Sequence, residues 1–267
     1  LQKKIIKAKN LYEEAYKFSR IKLKDNEELY ISVTNNLALL YVDIQEYDLA
    51  GEFLIETIEL IKKNYGRENL MYASTLGNMA SLYAHLDENT EVIIPLLINA
   101  LQIRKDILGV HHTLYLESII NLAEAYIRIK KYNQAEQLLL NSLEISKDIY
   151  GVNHQQYLDC LVKISILYRD LNLDNKAFNY FDEIKDNEKY ARVVKPYYVQ
   201  LYFNDKDYDK AIVEGNSLLN ENISADYKAE VHKMIGESYF MKGDYDSAYP
   251  HLKIYLDSKA NPSESDL

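Results

Sequence analysis

Few side chains in this sequence are spaced for chemistry. Three of the six histidines, His111, His112 and His154, sit in equivalent stretches shortly after Gly109 and Gly151. A metal site needs ligands that converge on one point, and no other ligating residue is spaced to join these three. They are read instead as capping or packing groups at the start of a helix. The lone Cys160 can form no internal disulfide and fits a reducing compartment, as a small buried apolar residue. The carboxylate pairs Glu13-Glu14 and Glu27-Glu28 are adjacent in sequence and so share no helical face. They belong to solvent rather than to an acid–base couple. Serine occurs without a nucleophile elbow, and no glycine-rich phosphate loop is present. The expectation is a protein that is not an enzyme and needs neither metal nor cofactor.

Composition narrows the class further. A net charge of −10 and a pI near 5.2 argue against a nucleic-acid partner, whose phosphates require a basic face. No apolar run reaches the roughly 18 residues of a membrane span, and no signal-peptide pattern opens the chain. Neither membrane insertion nor secretion is expected, and the location implied is cytoplasmic. With 48% apolar residues but only 8 Gly and 4 Pro, the chain fits neither a strand-and-turn protein nor a disordered one. A start at Leu1 rather than Met points to a segment cut from a longer protein.

The elements that must position any site emerge from an internal repeat. In "INLAEAYIRIKKYNQAEQLLLNSL", residues 120–143, Tyr126 anchors a neighbourhood that recurs around Tyr41, Tyr83, Tyr168, Tyr202 and Tyr239. Successive anchors are 42, 43, 42, 34 and 37 residues apart. Nine residues after each anchor stands Ala50, Val92, Ala135, Ala177, Ala211 or Ala248. Six after it comes Tyr47, Tyr132, Tyr208 or Tyr245, with Asn89 and Asp174 as departures.

Each unit reads as two amphipathic helices. Ile119, Leu122, Ala123 and Tyr126 recur at offsets of three and four on one apolar face. Small residues stand three before the anchor: Ala38, Ala80, Ala123, Ser165 and Gly236. A large side chain there would push neighbouring helices apart, and the anchor tyrosine fills the space the small residue leaves. The tyrosine stripe is therefore core.

This pattern resembles the tetratricopeptide repeat, and the first units resemble its 42-residue variety found in kinesin light chains. That variety carries glycine, two variable residues, His-Pro and then "LNNLA". Here "NNLA" occupies 35–38 and "INLA" 120–123, while Gly109 and Gly151 precede His112 and His154 by three. Asn69 is the equivalent residue after Gly66, and Leu70, Thr113 and Gln155 replace the proline. The resemblance implies an all-α fold, a right-handed α-solenoid of helical hairpins forming one domain over 1–259. Its units are a half-repeat at 1–24 and repeats at about 25–66, 67–109, 110–151, 152–187, 188–223 and 224–259. Residues 260–267 form a polar linker or tail. The longer repeat adds about eight residues to the usual 34, which predicts one extra turn in each helix of the pair.

Stacked hairpins of this family present an extended concave surface lined by the first helices. The resemblance puts its groove residues at fixed offsets from the anchor, which selects Asn35, Asn36, Asn78, Ser81, His85, Glu117, Asn121, Glu124, Arg128, Lys163 and Arg169, with Ser74 and Asp159 beside them. Asn36, Asn78 and Asn121 form a column of amides that can donate to and accept from a peptide backbone. An asparagine ladder between neighbouring helices is the competing reading. Only Lys163 matches a carboxylate clamp, so a free C-terminus is not the expected determinant.

The function implied is a non-catalytic scaffold that binds an extended peptide or partner segment in the groove. The alternative is a regulatory or sensor region of a larger bacterial protein with a separate effector domain, such as a caspase-like protease or a histidine kinase. Self-association through exposed terminal repeats is a third expectation.

Overall fold

The computed structural model describes residues 2–21, 27–86, 90–221 and 223–260. Among them run thirteen α-helices and no strand. Asn89, and all but the first residue of the expected tail, lie outside the described residues.

The chain divides into two compact units. The first, Leu1–Gly151, holds α1 (Gln2–Ile21) and three hairpins: α2 (Glu27–Asp43) with α3 (Tyr47–Tyr65), α4 (Leu70–His85) with α5 (Thr90–Leu108), and α6 (Thr113–Arg128) with α7 (Tyr132–Tyr150). The second, Val152–Leu267, holds α8 (Gln155–Asp170) with α9 (Asp174–Asp182), α10 (Glu188–Asn204) with α11 (Tyr208–Leu219), and α12 (Ala225–Met241) with α13 (Tyr245–Ala260).

The anchor tyrosines mark the turn of each hairpin. The backbone N–H five residues on returns to the anchor carbonyl in five of them: Glu46 to Tyr41, Lys131 to Tyr126, Leu173 to Tyr168, Asp207 to Tyr202 and Asp244 to Tyr239, at 2.9–3.0 Å. The residue before each donor is left-handed: Gln45, Lys130, Asn172, Lys206 and Gly243 have φ between 56° and 80°. This is the Schellman closure, which satisfies the last carbonyls of the first helix. Glycine suits that conformation best, yet only Gly243 supplies it.

The small positions of the expected interlock are buried, but of the anchors only Tyr41 and Tyr168 are. Tyr83, Tyr126, Tyr202 and Tyr239 are half-buried, so the tyrosine stripe is core only in part. Ala38, Ala80, Ala123 and Ser165 are buried, as are Ala50, Ala135, Ala177, Ala211 and Ala248. Val92 departs from its expected place and is 47% exposed, while Ile93 beside it is buried at 3%. The extra residue of the 43-residue spacing therefore lies between Tyr83 and Ile93, and it moves the buried register from Val92 to Ile93.

The longer repeat does not lengthen both helices. First helices keep 16 or 17 residues throughout, from α2 to α12. The second helices α3, α5 and α7 have 19 residues, against 9, 12 and 16 for α9, α11 and α13. The added turns extend the second helix alone and leave the first helices uniform.

The loop histidines cap helices. His112 Nδ1 accepts the Leu114 N–H at 3.1 Å, His154 Nδ1 accepts that of Gln156 at 3.3 Å, and Asn69 Oδ1 accepts that of Tyr72 at 2.9 Å. Each satisfies a free donor in the first turn of α6, α8 or α4. His111 instead lies 3.9 Å from the Asp148 carboxylate.

Candidate peptide-binding face

In the first unit, α2, α4 and α6 carry one face, and the selected residues divide along it. Ser81, His85, Asn121, Glu124 and Arg128 line a single cleft of about 220 Å³ between α4 and α6, with α5 behind. The floor of this cleft is apolar: Ala80, Ile93, Leu97 and Ala125 are each buried and, with Leu122, form one core cluster. The five rim residues are exposed. A polar rim over an apolar floor can hold a peptide backbone at the edge and a side chain below it.

Local contacts hold the rim in place. Arg128 Nη1 donates to the Ala84 carbonyl at 3.2 Å, joining the end of α6 to the last turn of α4. A cation suits that position, where the helix leaves unsatisfied carbonyls. The His85 ring stacks on Tyr47, with centroids 5.8 Å apart and planes at 17°. Away from the cleft, Arg104 of α5 is 8% exposed. It donates to Ser118 Oγ at 2.7 Å and to the Leu114 carbonyl at 3.1 Å. Burial lowers its pKa below the usual guanidinium value, partly countered by the nearby Glu117 carboxylate.

The asparagines of the expected column are placed differently from one another. Asn78 Nδ2 donates to Asn35 Oδ1 at 2.9 Å, a pair that links α4 to α2. Asn35 also lines a second cleft of about 480 Å³ with Ser32 and Ser74. Asn36 is exposed on α2 outside both clefts, and Glu117 is exposed on α6 outside the α4–α6 cleft.

Lys163 and Arg169 belong to α8 in the second unit, and both are half-buried. Only Arg169 lines the larger cleft of that unit, about 790 Å³, together with Tyr197, Gln200, Tyr227 and Glu237. Its guanidinium lies 4.6 Å from the Tyr197 ring centroid, and its Nε donates to Asp170 at 2.9 Å. Burial raises the Tyr227 hydroxyl to about 12. Asp159, expected beside the groove, accepts the Tyr190 hydroxyl, so its carboxylate is already engaged.

Offsets from the anchor select rim positions but not the floor. Ile93 and Leu97 come from a second helix, and their contribution depends on the one-residue shift after α4. Gly77 and Ala84, small where the neighbouring repeats are large, are the signal that marks this cleft in the sequence.

The model of the tetratricopeptide repeat matches residues 29–93, 75–140 and 115–186, an unbroken span of more than half the chain. The chain belongs to the tetratricopeptide repeat family, a fold generally used for protein interaction rather than catalysis. No curated protein sequence matches it significantly. Among solved structures it is similar to a signal-transduction ATPase with numerous domains from Pyrococcus horikoshii, which carries a tetratricopeptide repeat sensor. There the TM-score is 0.71 at 17% identity, over 94% of this chain and 40% of that one. A kinesin light chain with nearly identical repeats from Podosopora anserina gives 0.51 at 16%, over 87% and 97%. YrrB, described as a tetratricopeptide repeat protein with an unusual peptide-binding site, gives 0.54 at 15%, over 76% and 92%. These likenesses are to the hairpin solenoid fold.

Proposed function

We propose that the chain is a protein-interaction module that binds an extended segment of a partner along the α4–α6 face. Five side chains of suitable chemistry around one cleft carry this reading. Ser81 and Asn121 supply neutral hydrogen-bonding groups to a peptide backbone, and Glu124 and Arg128 add one charge of each sign. The peptide-binding site described for YrrB supports the class of ligand. Selection from a displayed library of random dodecapeptides tests the reading. Peptides that bind the wild-type chain saturably, and lose at least tenfold in affinity on a Ser81→Ala/Asn121→Ala variant of unchanged melting temperature, are the expected result. Peptides that bind both forms equally, or no enrichment at all, would overturn it.

A sensor role within a larger protein is the second reading. The TM-score of 0.71 to a protein whose repeats are described as a sensor favours it. The full open reading frame tests it, because an effector domain next to the repeats is the required observation.

A further inference from the structure

In every other hairpin of the first unit, the first helix carries at least two large side chains at three groove registers where α4 carries none. Counted from the anchor tyrosine, the positions six and two before it and one after it are Asn35, Leu39 and Val42 in α2. In α6 they are Ile120, Glu124 and Ile127. In α4 they are Gly77, Ser81 and Ala84. All three line the α4–α6 cleft, and a Cβ added to Gly77 would meet no atom within 4 Å. The cleft is thus the volume that the larger residues would have filled.

We infer that this gap is a side-chain pocket, and that the segment bound along the α4–α6 face inserts one aliphatic or aromatic residue into it. The inference rests on the peptide-binding reading and adds its main specificity. Size selects the occupant. At about 220 Å³ the space is smaller than the roughly 300–1,000 Å³ typical of cofactor and drug-sized ligands. It exceeds the roughly 150 Å³ of an apolar cavity that takes up benzene, so one large side chain fits. The floor selects the same occupant, because Ile93, Leu97, Ala80 and Ala125 are apolar and belong to the core cluster beneath. A charged or amide group pushed down onto that floor, below the polar groups of the rim, would lose its water without gaining a partner. The rim places the inserted residue, since Ser81 and Asn121 stand on opposite sides of the opening, on α4 and α6.

The test uses a dodecapeptide selected on the wild-type chain, its alanine-substituted versions, and a Ser81→Leu/Ala84→Val variant. That variant copies the residues of α2 into α4, so its side chains are ones the neighbouring first helix already carries. One apolar peptide position should lose at least tenfold in affinity when changed to alanine on the wild type. On the filled variant the same change should have little further effect, since the pocket is already lost. If every apolar position of the peptide tolerates alanine on the wild type, the pocket inference falls while peptide binding stands. If no peptide is selected, both fall. Should the double variant fail to fold, the alanine series on the wild type still decides.

Discussion

Asn78 donates its side-chain amide to Asn35 at 2.9 Å, across 43 residues of chain and between the first helices of consecutive hairpins. Asn121, at the same register one repeat later, lines the cleft instead. Two residues that look equivalent in sequence therefore do different work. Asn78→Ala should lower stability by about 1 kcal/mol, the usual loss for a half-buried hydrogen bond. Asn121→Ala should leave the melting temperature unchanged and weaken a selected peptide. Thermal melts and titrations on the two variants check both halves.

The left-handed turns give a second expectation. Gln45, Lys130 and Lys206 hold positive φ without being glycine. A side chain in that conformation costs about 1–2 kcal/mol, part of which is offset by the greater freedom of an unfolded glycine. Lys130→Gly should raise stability by about 0.5–1 kcal/mol, and Gly243→Ala should lower it by a similar amount. Denaturant midpoints measure both.

Two helical glycines should respond oppositely to the same substitution. A Cβ on Gly236 would lie 2.7 Å from Leu252 Cγ and 3.1 Å from the Leu252 backbone nitrogen, whereas one on Gly77 meets open space. Alanine normally gains about 1 kcal/mol over glycine inside a helix. Gly77→Ala should show that gain. At Gly236 the overpacking penalty of about 1–3 kcal/mol should cancel or exceed it. Melting temperatures moving up for one and not for the other are the expected outcome.

The last hairpin should be acid-sensitive. His232 Nδ1 and His251 Nδ1 are 2.9 Å apart on α12 and α13. Burial lowers both pKa values, and for His232 the facing His251 and Lys228 lower it further. The unfolded chain therefore binds more protons than the folded one once pH falls below the ordinary imidazole value of about 6.5. Stability should be full above that pH and fall below it, before carboxylates titrate. The melting temperature of His251→Gln should change less between pH 7.5 and pH 5 than that of the wild type.

The repeat was legible because its packing is written locally. Ala123 and Ala135 can only be small where helices cross, and their spacing from Tyr126 recurs along the chain. Val92 falls out of that pattern, because one residue added between Tyr83 and Ile93 shifts the helix register without changing any pattern inside the helix. The helix lengths were misjudged for a related reason, since a repeat period gives the sum of two helices and not its division. Around the α4–α6 cleft, offsets from the anchor select the lining residues Ser81, Asn121 and Arg128. They could not reveal that Asn78 points to Asn35, because both are amides at groove registers and only their geometry separates them.

Backbone amide NMR of the deuterated chain, titrated with a selected peptide, tests the binding face most directly. The account predicts shifts concentrated on α4 and α6, largest around Ser81, Asn121, Glu124 and Arg128. Shifts confined to α7 or to the loops between hairpins, sparing α4, α6 and the floor residues Ile93 and Leu97 of α5, would contradict it.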